Sequence, residues 1–304
     1  MRVKYNIDTK LVYQIGYPMH QGCASILHNA MFDYANVNAV CLALEVPKGG
    51  LGPFIEAAKT MGIEGFDITM PHKTDIIPFL DECDEASRAF RCVNHVKIRN
   101  GKLIGIGLDG VGMGMSIAHK AKGELRGRHA LIIGAGAVAG PIAADLCTRG
   151  IREVTIVNRT VEKAEYIAKT LHDLYGVETH YGPMAPEVLD EVAPKIGLVV
   201  QCTSLGGNYA KGNIYLGFVS KLPADCIAAD VLFPTTSFLE EAKRNHLQTI
   251  NGEGMMYYQE LALIDFRFGI KMPFEAMDEA EEALKIGIAV RDMRNELLRR
   301  KEQK

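Results

Sequence analysis

The stretch 130–144 constrains the fold most, because it places two glycines directly after a buried strand. The apolar run 130–133 predicts the strand, and Gly134, Gly136 and Ala139 follow it in the spacing G-x-G-x-x-A before a helical pattern. Such a turn lets the backbone approach a phosphate, and the N–H groups that open the following helix face the anion. The stretch therefore predicts a unit that binds the pyrophosphate of a dinucleotide.

Length and composition exclude several classes of protein. A chain of 304 residues with 48 % hydrophobic and 23 % charged residues is typical of a two-domain globular enzyme. The net charge of −3 indicates no nucleic-acid partner. No apolar run reaches membrane-spanning length, and the first residues lack an apolar signal core, so we expect a cytoplasmic protein. The seven cysteines have no zinc-ligand spacing and favour reduced thiols.

Strand and helix patterns alternate over the first ~110 residues, as they do in βαβ units. The predicted strands are 11–15, 38–46 and 65–70, and the predicted helices are 26–34, 54–60 and 81–91. Asn100-Gly101 then joins two apolar runs, 93–98 and 103–106, which predicts a hairpin with a type I′ turn. The chain is therefore expected to be an α/β protein.

The residues after the second strand of the nucleotide unit indicate which dinucleotide binds. An acidic residue here would hold the ribose of NAD, but this chain has Asn158-Arg159-Thr160 after the apolar run 154–157. Arg159 offers a guanidinium for a 2′-phosphate, Thr160 a hydroxyl and Lys163 a further positive charge. The pattern favours NADP, with NAD as the alternative.

Lys73 follows the predicted strand 65–70, where an open α/β sheet places its ligands. An ammonium group there can deliver a proton to a carbonyl oxygen as a hydride arrives, and remove it in the reverse direction. Asp109 is the candidate carboxylate to hold the lysine. Asn94, Asp109 and Gln259 are side chains able to bind the hydroxyls of a small polyol.

Together these features resemble the shikimate dehydrogenase family over nearly the whole chain. The matching motifs are Gly16-Tyr17-Pro18, His28-Asn29, the run Asp67-Ile68-Thr69-Met70-Pro71-His72-Lys73, Val93-Asn94, Leu108-Asp109-Gly110, Gly134-Ala135-Gly136, Asn158-Arg159-Thr160, Thr203, Asp230, Gly252-Glu253-Gly254-Met255 and Gln259.

The resemblance implies a catalytic, substrate-binding or cofactor-binding role for these residues. Lys73 and Asp109 would be the proton-transfer pair, and Thr69, Asn94 and Gln259 would bind the hydroxyls of a cyclic hydroxy acid. The implied cofactor contacts are Gly134, Ala135, Gly136, Ala137, Val138, Asn158, Arg159, Thr160, Lys163, Thr203, Val231 and Gly252. Residues 1–110 plus 254–304 would form a substrate domain with a mostly parallel sheet, and 111–253 a Rossmann-type NADP-binding domain. The active site would lie in the cleft between the two domains.

The chain departs from the family on the substrate side. Gly22 and Ala24 stand where the family has two hydroxyl residues that bind the substrate carboxylate. Hydrogen bonds to a charged group are worth about 1.5–3 kcal/mol each, so their loss would weaken carboxylate binding by orders of magnitude. The other changes are Asp67 for Asn, His95 for Thr, Gly107-Leu108 for Asn-Thr, and Phe233 for Tyr. His20, Gln21 or Ser25 are candidate replacement donors.

These changes leave several functions open. Retained hydride chemistry in a remodelled pocket would act on shikimate, quinate, an amino analogue or another cyclic polyol. A folate-type NADP dehydrogenase shares the architecture but does not explain Asn94, Asp109 and Gln259 together. A ligand-binding paralogue without turnover would have no need of Lys73 and Asp109. The charged helix predicted at 275–302 either supports a homodimer or caps the first domain.

Overall fold

The computed structural model describes residues 5–19, 22–122, 125–207 and 212–302. It divides into two compact units, Met1–Leu108 with Met256–Lys304, and Asp109–Met255. His20 and Gln21, two of the candidate replacement donors, lie outside the described residues.

The strands and helices follow one another along the chain in alternation. Their bounds are β1 (Lys10–Gly16), α1 (Ala24–Tyr34), β2 (Ala39–Glu45), α2 (Leu51–Met61), β3 (Gly65–Ile68), β4 (Glu82–Cys83), α3 (Glu85–Ala89), β5 (His95–Arg99), β6 (Lys102–Ile106), α4 (Asp109–Lys120), β7 (His129–Ile133), α5 (Ala139–Thr148), β8 (Glu153–Asn158), α6 (Val161–Tyr175), β9 (Glu178–Pro183), α7 (Pro186–Val192), β10 (Leu198–Gln201), β11 (Ile227–Asp230), α8 (Ser237–Arg244), β12 (Gln248–Ile250), α9 (Glu253–Phe268) and α10 (Ala276–Glu302).

The first unit is built on a mixed sheet with the strand order β2-β1-β3-β5-β6-β4. β1 runs parallel to β2 and β3, and β4 runs parallel to β6, whereas β5 is antiparallel to both β3 and β6. Its core lies between the sheet and α2, where the rings of Phe54 and Phe66 meet edge to face at 5.1 Å. The sheet is therefore mixed, and its parallel half holds β1, β2 and β3.

Two local predictions in this unit have different outcomes. The type I′ hairpin is confirmed, because Asn100 and Gly101 both have positive φ, 53° and 75°, between the antiparallel strands β5 and β6. The helix predicted at 81–91 is wrong in its first half, which contains β4. The side chain of Asp84 accepts a hydrogen bond from the Ser87 amide, so the helix begins only at Glu85.

The second unit is an all-parallel sheet with the order β12-β11-β10-β7-β8-β9. The chain runs outward from β7 through β8 to β9, then returns to β10 on the other side of β7 and continues outward to β12. The order therefore reverses between β7 and β10, and the carboxyl ends of strands at such a reversal form the ligand-binding edge of a Rossmann-type sheet. The expected α/β class with a Rossmann-type unit is confirmed.

The terminal helix α10 buries one face in the first unit and exposes apolar residues on the opposite face. Leu284 is buried, whereas Ile286, Val290, Met293 and Leu297 are each more than two-fifths exposed. Among the described residues, no helix combines the length and apolar character that crossing a bilayer requires.

Candidate active site

The glycine turn after β7 has the geometry that the motif predicts. Gly134 has φ +104°, and a Cβ there would lie 2.6 Å from Cγ2 of Thr203, so only glycine fits. A Cβ on Gly136 would meet nothing nearer than 3.9 Å, which leaves its backbone open to a ligand. Val138 precedes α5 with an apolar side chain that cannot cap the first N–H groups. The turn can therefore present backbone donors to an anion.

Asn158 links this turn to the end of the neighbouring strand. Its Oδ1 accepts a hydrogen bond from the Ala135 amide at 3.1 Å, and its Nδ2 donates to the Thr160 carbonyl at 2.8 Å. Arg159, Thr160 and Lys163 follow and are exposed. The structure thus brings the predicted pyrophosphate turn and the predicted 2′-phosphate group together at one edge of the sheet.

The remaining predicted cofactor residues, Thr203, Val231 and Gly252, follow β10, β11 and β12 at the same edge. The Thr203 amide donates to Oε1 of Gln201 at 2.5 Å. A Cβ on Gly252 would lie 2.0 Å from the Val231 carbonyl oxygen, so only glycine allows this approach. Phe233, predicted on the substrate side, lies two residues after Val231 in the segment that follows β11.

Asp230 ends β11 with a fully buried carboxyl group. Its Oδ1 accepts from the Leu232 amide at 2.9 Å and its Oδ2 accepts from the Thr236 hydroxyl at 2.7 Å. Burial raises the pKa of Asp230 to about 7, against the lowering effect of these hydrogen bonds. The carboxyl group therefore fixes the segment that carries Val231 and Phe233.

In the first unit, Asp67 joins a buried cluster of charged and polar side chains. Nη2 of Arg267 lies 2.5 Å from Oδ1 of Asp67, and Nδ1 of His95 lies 2.6 Å from the same oxygen. Although burial favours the neutral acid, Arg267, His28 and His95 hold the pKa of Asp67 well below its usual range. The sequence indicated an added negative charge at Asp67, and the structure matches that charge with Arg267.

His28 and Glu260 extend the cluster. Nδ1 of His28 lies 2.8 Å from Oε1 of Glu260, and Nε2 lies 3.5 Å from Oδ2 of Asp67. The contact with Glu260 becomes an ion pair when His28 is protonated. Burial opposes the protonation of His28, but the carboxylates of Glu260 and Asp67 outweigh it and raise the pKa.

Two predicted substrate residues, Asn94 and Gln259, meet beside this cluster. Nδ2 of Asn94 donates to Oε1 of Gln259 at 2.9 Å, and Nε2 of His95 lies 2.8 Å from the same oxygen. Oδ1 of Asn94 accepts from the Leu108 amide at 2.8 Å, which orients the amide group. The predicted pair is therefore held in place, although the two residues are 165 positions apart in the chain.

The two predicted proton-transfer residues, Lys73 and Asp109, lie in different units of the structure. Lys73 is half-buried in the turns that follow β3, and its carbonyl accepts from the Val93 amide at 3.1 Å, next to Asn94. Thr69 is half-buried and its amide donates to the Ile15 carbonyl at 2.9 Å. Asp109 opens α4 in the second unit and is buried. Lys73 thus belongs to one unit and Asp109 to the other.

Gly22, one of the two positions where the family has a hydroxyl residue, lies beside a buried glutamine. Ala24 is the first residue of α1, and Gly22 precedes it. A Cβ on Gly22 would meet Met19 at 3.1 Å and Oε1 of Gln14 at 3.7 Å. Oε1 of Gln14 is buried without a hydrogen-bond partner in the described residues, and Gln14 pairs in register with Asp67 across β1 and β3.

Sequence reasoning missed the roles of Gln14, Glu260 and Arg267. The spacing of two of these residues did indicate a buried ion pair. Glu260 and Arg267 are seven residues apart and therefore lie on the same face of α9. Burying charged side chains on a helix face is unfavourable unless they are paired. Their partners Asp67 and His28 come from β3 and α1, and the sequence alone does not specify this pairing.

Comparisons with known proteins place the chain in a family. Residues 14–96 match the model of the shikimate dehydrogenase substrate binding domain, and residues 116–205 match that of shikimate / quinate 5-dehydrogenase. The shikimate dehydrogenase (NADP(+)) of Methanococcus aeolicus is 33 % identical over 277 residues, covering 90 % of this chain and 98 % of its own. This chain belongs to the shikimate dehydrogenase family.

Solved structures agree with this assignment. A crystal structure of a shikimate dehydrogenase in complex with NADP+ superimposes with a TM-score of 0.82 at 31 % identity, covering 93 % of this chain and 97 % of its own. The ligand-free 5-ketofructose reductase of Gluconobacter sp. strain CHM43 superimposes with a TM-score of 0.78 at 27 % identity, covering 92 % and 99 %. The likeness therefore includes an enzyme with a differently named substrate.

Proposed function

We propose that this chain catalyses the reversible, NADP-linked reduction of 3-dehydroshikimate to shikimate, or of a closely related cyclic hydroxy ketone. The observation that carries the proposal is the near full-length similarity to relatives named shikimate dehydrogenase (NADP(+)). The predicted substrate residues Asn94 and Gln259 also form one buried hydrogen-bonded pair in the first unit.

Asn94 and Gln259 have hydrogen-bonding groups suited to the hydroxyls of the substrate. Gln259 accepts from Asn94 and faces His95, so its amide has a fixed orientation. An oriented amide loses little conformational entropy when it binds a ligand. Thr69 adds a hydroxyl in the segment that leads to Lys73. We assign these residues to substrate orientation.

Lys73 and Asp109 are the proposed proton-transfer pair. Lys73 would donate a proton to the substrate carbonyl oxygen in reduction and remove it in oxidation, while Asp109 keeps the amine correctly placed. Bound NADPH supplies the hydride. Positioning the reacting groups in this way lowers the entropic part of the barrier.

The carboxyl edge of the second sheet fits the NADP phosphates. Gly134 and Gly136 leave space for backbone contacts to the pyrophosphate, and the N-terminus of α5 follows them. Arg159 and Lys163 are exposed beside this turn and can pair with a 2′-phosphate. These residues would bind and orient the cofactor.

A second candidate substrate follows from Gly22 and Ala24. Neither residue offers a side-chain donor to a carboxylate, and the buried amide of Gln14 lies beside Gly22. A polyhydroxy ketone without a carboxylate, such as the one named for the Gluconobacter enzyme, would not need those donors. We therefore propose such a ketone as the alternative, with Gln14 contacting its hydroxyls.

A kinetic panel tests both candidates through the change in nicotinamide absorbance. Wild type and Ala24→Ser are assayed with shikimate, quinate and a carboxylate-free polyol, each with NADP and NAD. Ala24→Ser restores one hydroxyl and is preferred to Gly22→Ser, which would crowd Met19. Efficient shikimate turnover by wild type supports the first candidate. Polyol turnover, with shikimate turnover only in the variant, supports the second, and no turnover of any compound by either protein rejects both.

We also propose that the protein forms a homodimer through α10. Ile286, Val290, Met293 and Leu297 form one exposed stripe at the spacing of a helix-pairing seam. The stripe is symmetric about the bond between residues 291 and 292, so a second copy lying antiparallel would place each apolar residue on its counterpart. We place this dimer in the cytoplasm, as the sequence predicts.

Charge supports the antiparallel arrangement. The first turns of α10 carry the acidic residues Asp278, Glu279, Glu281 and Glu282, and its later turns carry Arg294 and Arg300. Antiparallel pairing sets the acidic turns of one copy against the basic turns of the other, whereas parallel pairing would set like charges together. A second copy of this chain is therefore the proposed occupant of the stripe.

A further inference from the structure

Four side chains at the amino ends of β7, β8 and β9 form a cluster that the proposed reaction does not use. Glu153, Glu178 and His180 each bring one ligand atom within 4.8 Å of the other two, and His129 contacts Glu153. His129, Glu153 and Glu178 are register partners across the three strands, and His180 is two residues after Glu178. Register partners in a parallel sheet and residues two apart in one strand point to the same face. The sheet itself therefore brings all four together, at the end opposite the glycine turn.

The distances within the cluster fit a metal ion. Oε1 of Glu153 lies 3.3 Å from Nδ1 of His129 and 3.3 Å from Nε2 of His180, and that nitrogen lies 3.4 Å from Oε1 of Glu178. A tetrahedral Zn²⁺ with bonds of about 2.0–2.1 Å sets its ligand atoms about 3.3 Å apart. We propose that this cluster binds a divalent transition-metal ion, with Zn²⁺ as the best-fitting species.

His129 supports this group by contacting Glu153. Its side chain is only 10 % exposed, and its Nε2 lies 2.8 Å from the Thr155 hydroxyl. That contact orients the ring so that Nδ1 faces Glu153, and carboxylates that bind metals are commonly held by such a neighbour.

The donor set favours a transition metal over calcium or magnesium. Those two ions prefer sites made only of oxygen ligands, whereas an imidazole combined with carboxylates suits Zn²⁺ and its neighbours. A bound ion would join the edge strand β9 to β8 and β7, so its expected effect is on the stability of the second unit.

Zinc titration of the metal-free protein tests the site. His180→Ala and Glu178→Gln remove the two most exposed ligands, so both variants should fold as wild type does. Glu240→Gln, an exposed residue of α8, is the matched control for loss of one carboxylate. Calorimetry should show one Zn²⁺ bound by wild type and by the control, with affinity reduced at least about 10-fold in either ligand variant. At the same Zn²⁺ concentration, the Tm should rise more in wild type and the control than in either ligand variant.

Two results would overturn the site. One is equal zinc affinity and stoichiometry in wild type and both ligand variants, which would assign binding to the cysteines or other groups. The other is no zinc binding by wild type. Neither measurement involves turnover, so failure here is separate from failure of the proposed oxidoreductase function.

Discussion

Arg267 and Asp67 form an ion pair inside the first unit, with both side chains at least 96 % buried and 2.5 Å between Nη2 and Oδ1. The two residues are 200 positions apart, so the pair ties α9 to β3. His28 and His95 share the carboxylate, and this cluster adjoins the Asn94–Gln259 pair proposed to orient the substrate.

Removing Arg267 should be strongly destabilising. Arg267→Met leaves a buried carboxylate without its main partner, and we expect a loss of about 3–5 kcal/mol in the free energy of unfolding. Urea unfolding measures the change, with the double variant Asp67→Asn/Arg267→Met as the matched control. The double variant should recover much of the loss, because no unpaired charge remains. A double variant that equals the sum of the two single variants would show that the pair does not couple.

The carboxyl group of Asp230 should give stability a specific pH dependence. Its folded-state pKa is about 7, against an ordinary value of 3.8. Between these values the folded protein holds a proton that the unfolded chain releases, so stability falls as pH rises, by at most about 1.4 kcal/mol per pH unit. Relative to Asp230→Asn, which cannot titrate, wild type should lose stability from about pH 4 to pH 7 and then level off. Parallel curves for the two proteins across this range would contradict the assignment.

Replacing Arg159 should change the choice between NADP and NAD. Charge-assisted hydrogen bonds are worth about 1.5–3 kcal/mol, so Arg159→Ala should raise KM for NADP about 10- to 100-fold and leave KM for NAD nearly unchanged. Steady-state kinetics with both cofactors measure this ratio. Lys169→Ala, on the neighbouring helix α6, is the control and should alter neither constant. An unchanged preference in Arg159→Ala would remove the 2′-phosphate assignment.

The proposed dimer should dissociate when a charge enters the stripe on α10. Val290→Glu and Met293→Glu each place a carboxylate at the centre of the antiparallel contact, where burial without a partner is unfavourable. Analytical ultracentrifugation should show a dimer for wild type and monomers for both variants. Asp292→Asn, next to the stripe, should remain dimeric. A monomeric wild type at high concentration would reject the interface.

The second unit could be predicted largely from local sequence. Gly134 and Gly136 follow an apolar strand, and the constraints on them come from the turn itself, so the Rossmann-type unit was recognisable without tertiary information. The edge strands β9 and β12 were missed. β9 is mostly polar and carries Glu178 and His180 of the proposed metal site, so it lacks the apolar alternation of a strand. β12 has only three residues, which is too short for a recognisable pattern.

The buried cluster of the first unit could not be predicted in the same way. Asp67 was recognised as a departure from the family, but its partner Arg267 is supplied by a helix that returns to the first unit after the whole second unit. Sequence spacing gives no information on such a pairing. The same holds for Gln14, whose neighbour Asp67 is set by the register of β1 and β3.

The proposed proton transfer is tested most directly by measuring the turnover of Lys73→Ala and Asp109→Asn with the best substrate of the kinetic panel. We expect kcat to fall about 10²- to 10⁴-fold in both variants, because the proton carrier or its holder is lost, while NADP binding stays near that of wild type. Lys59→Ala, an exposed lysine of α2, is the control and should turn over normally. Turnover of Lys73→Ala close to that of wild type would contradict the proposed proton transfer.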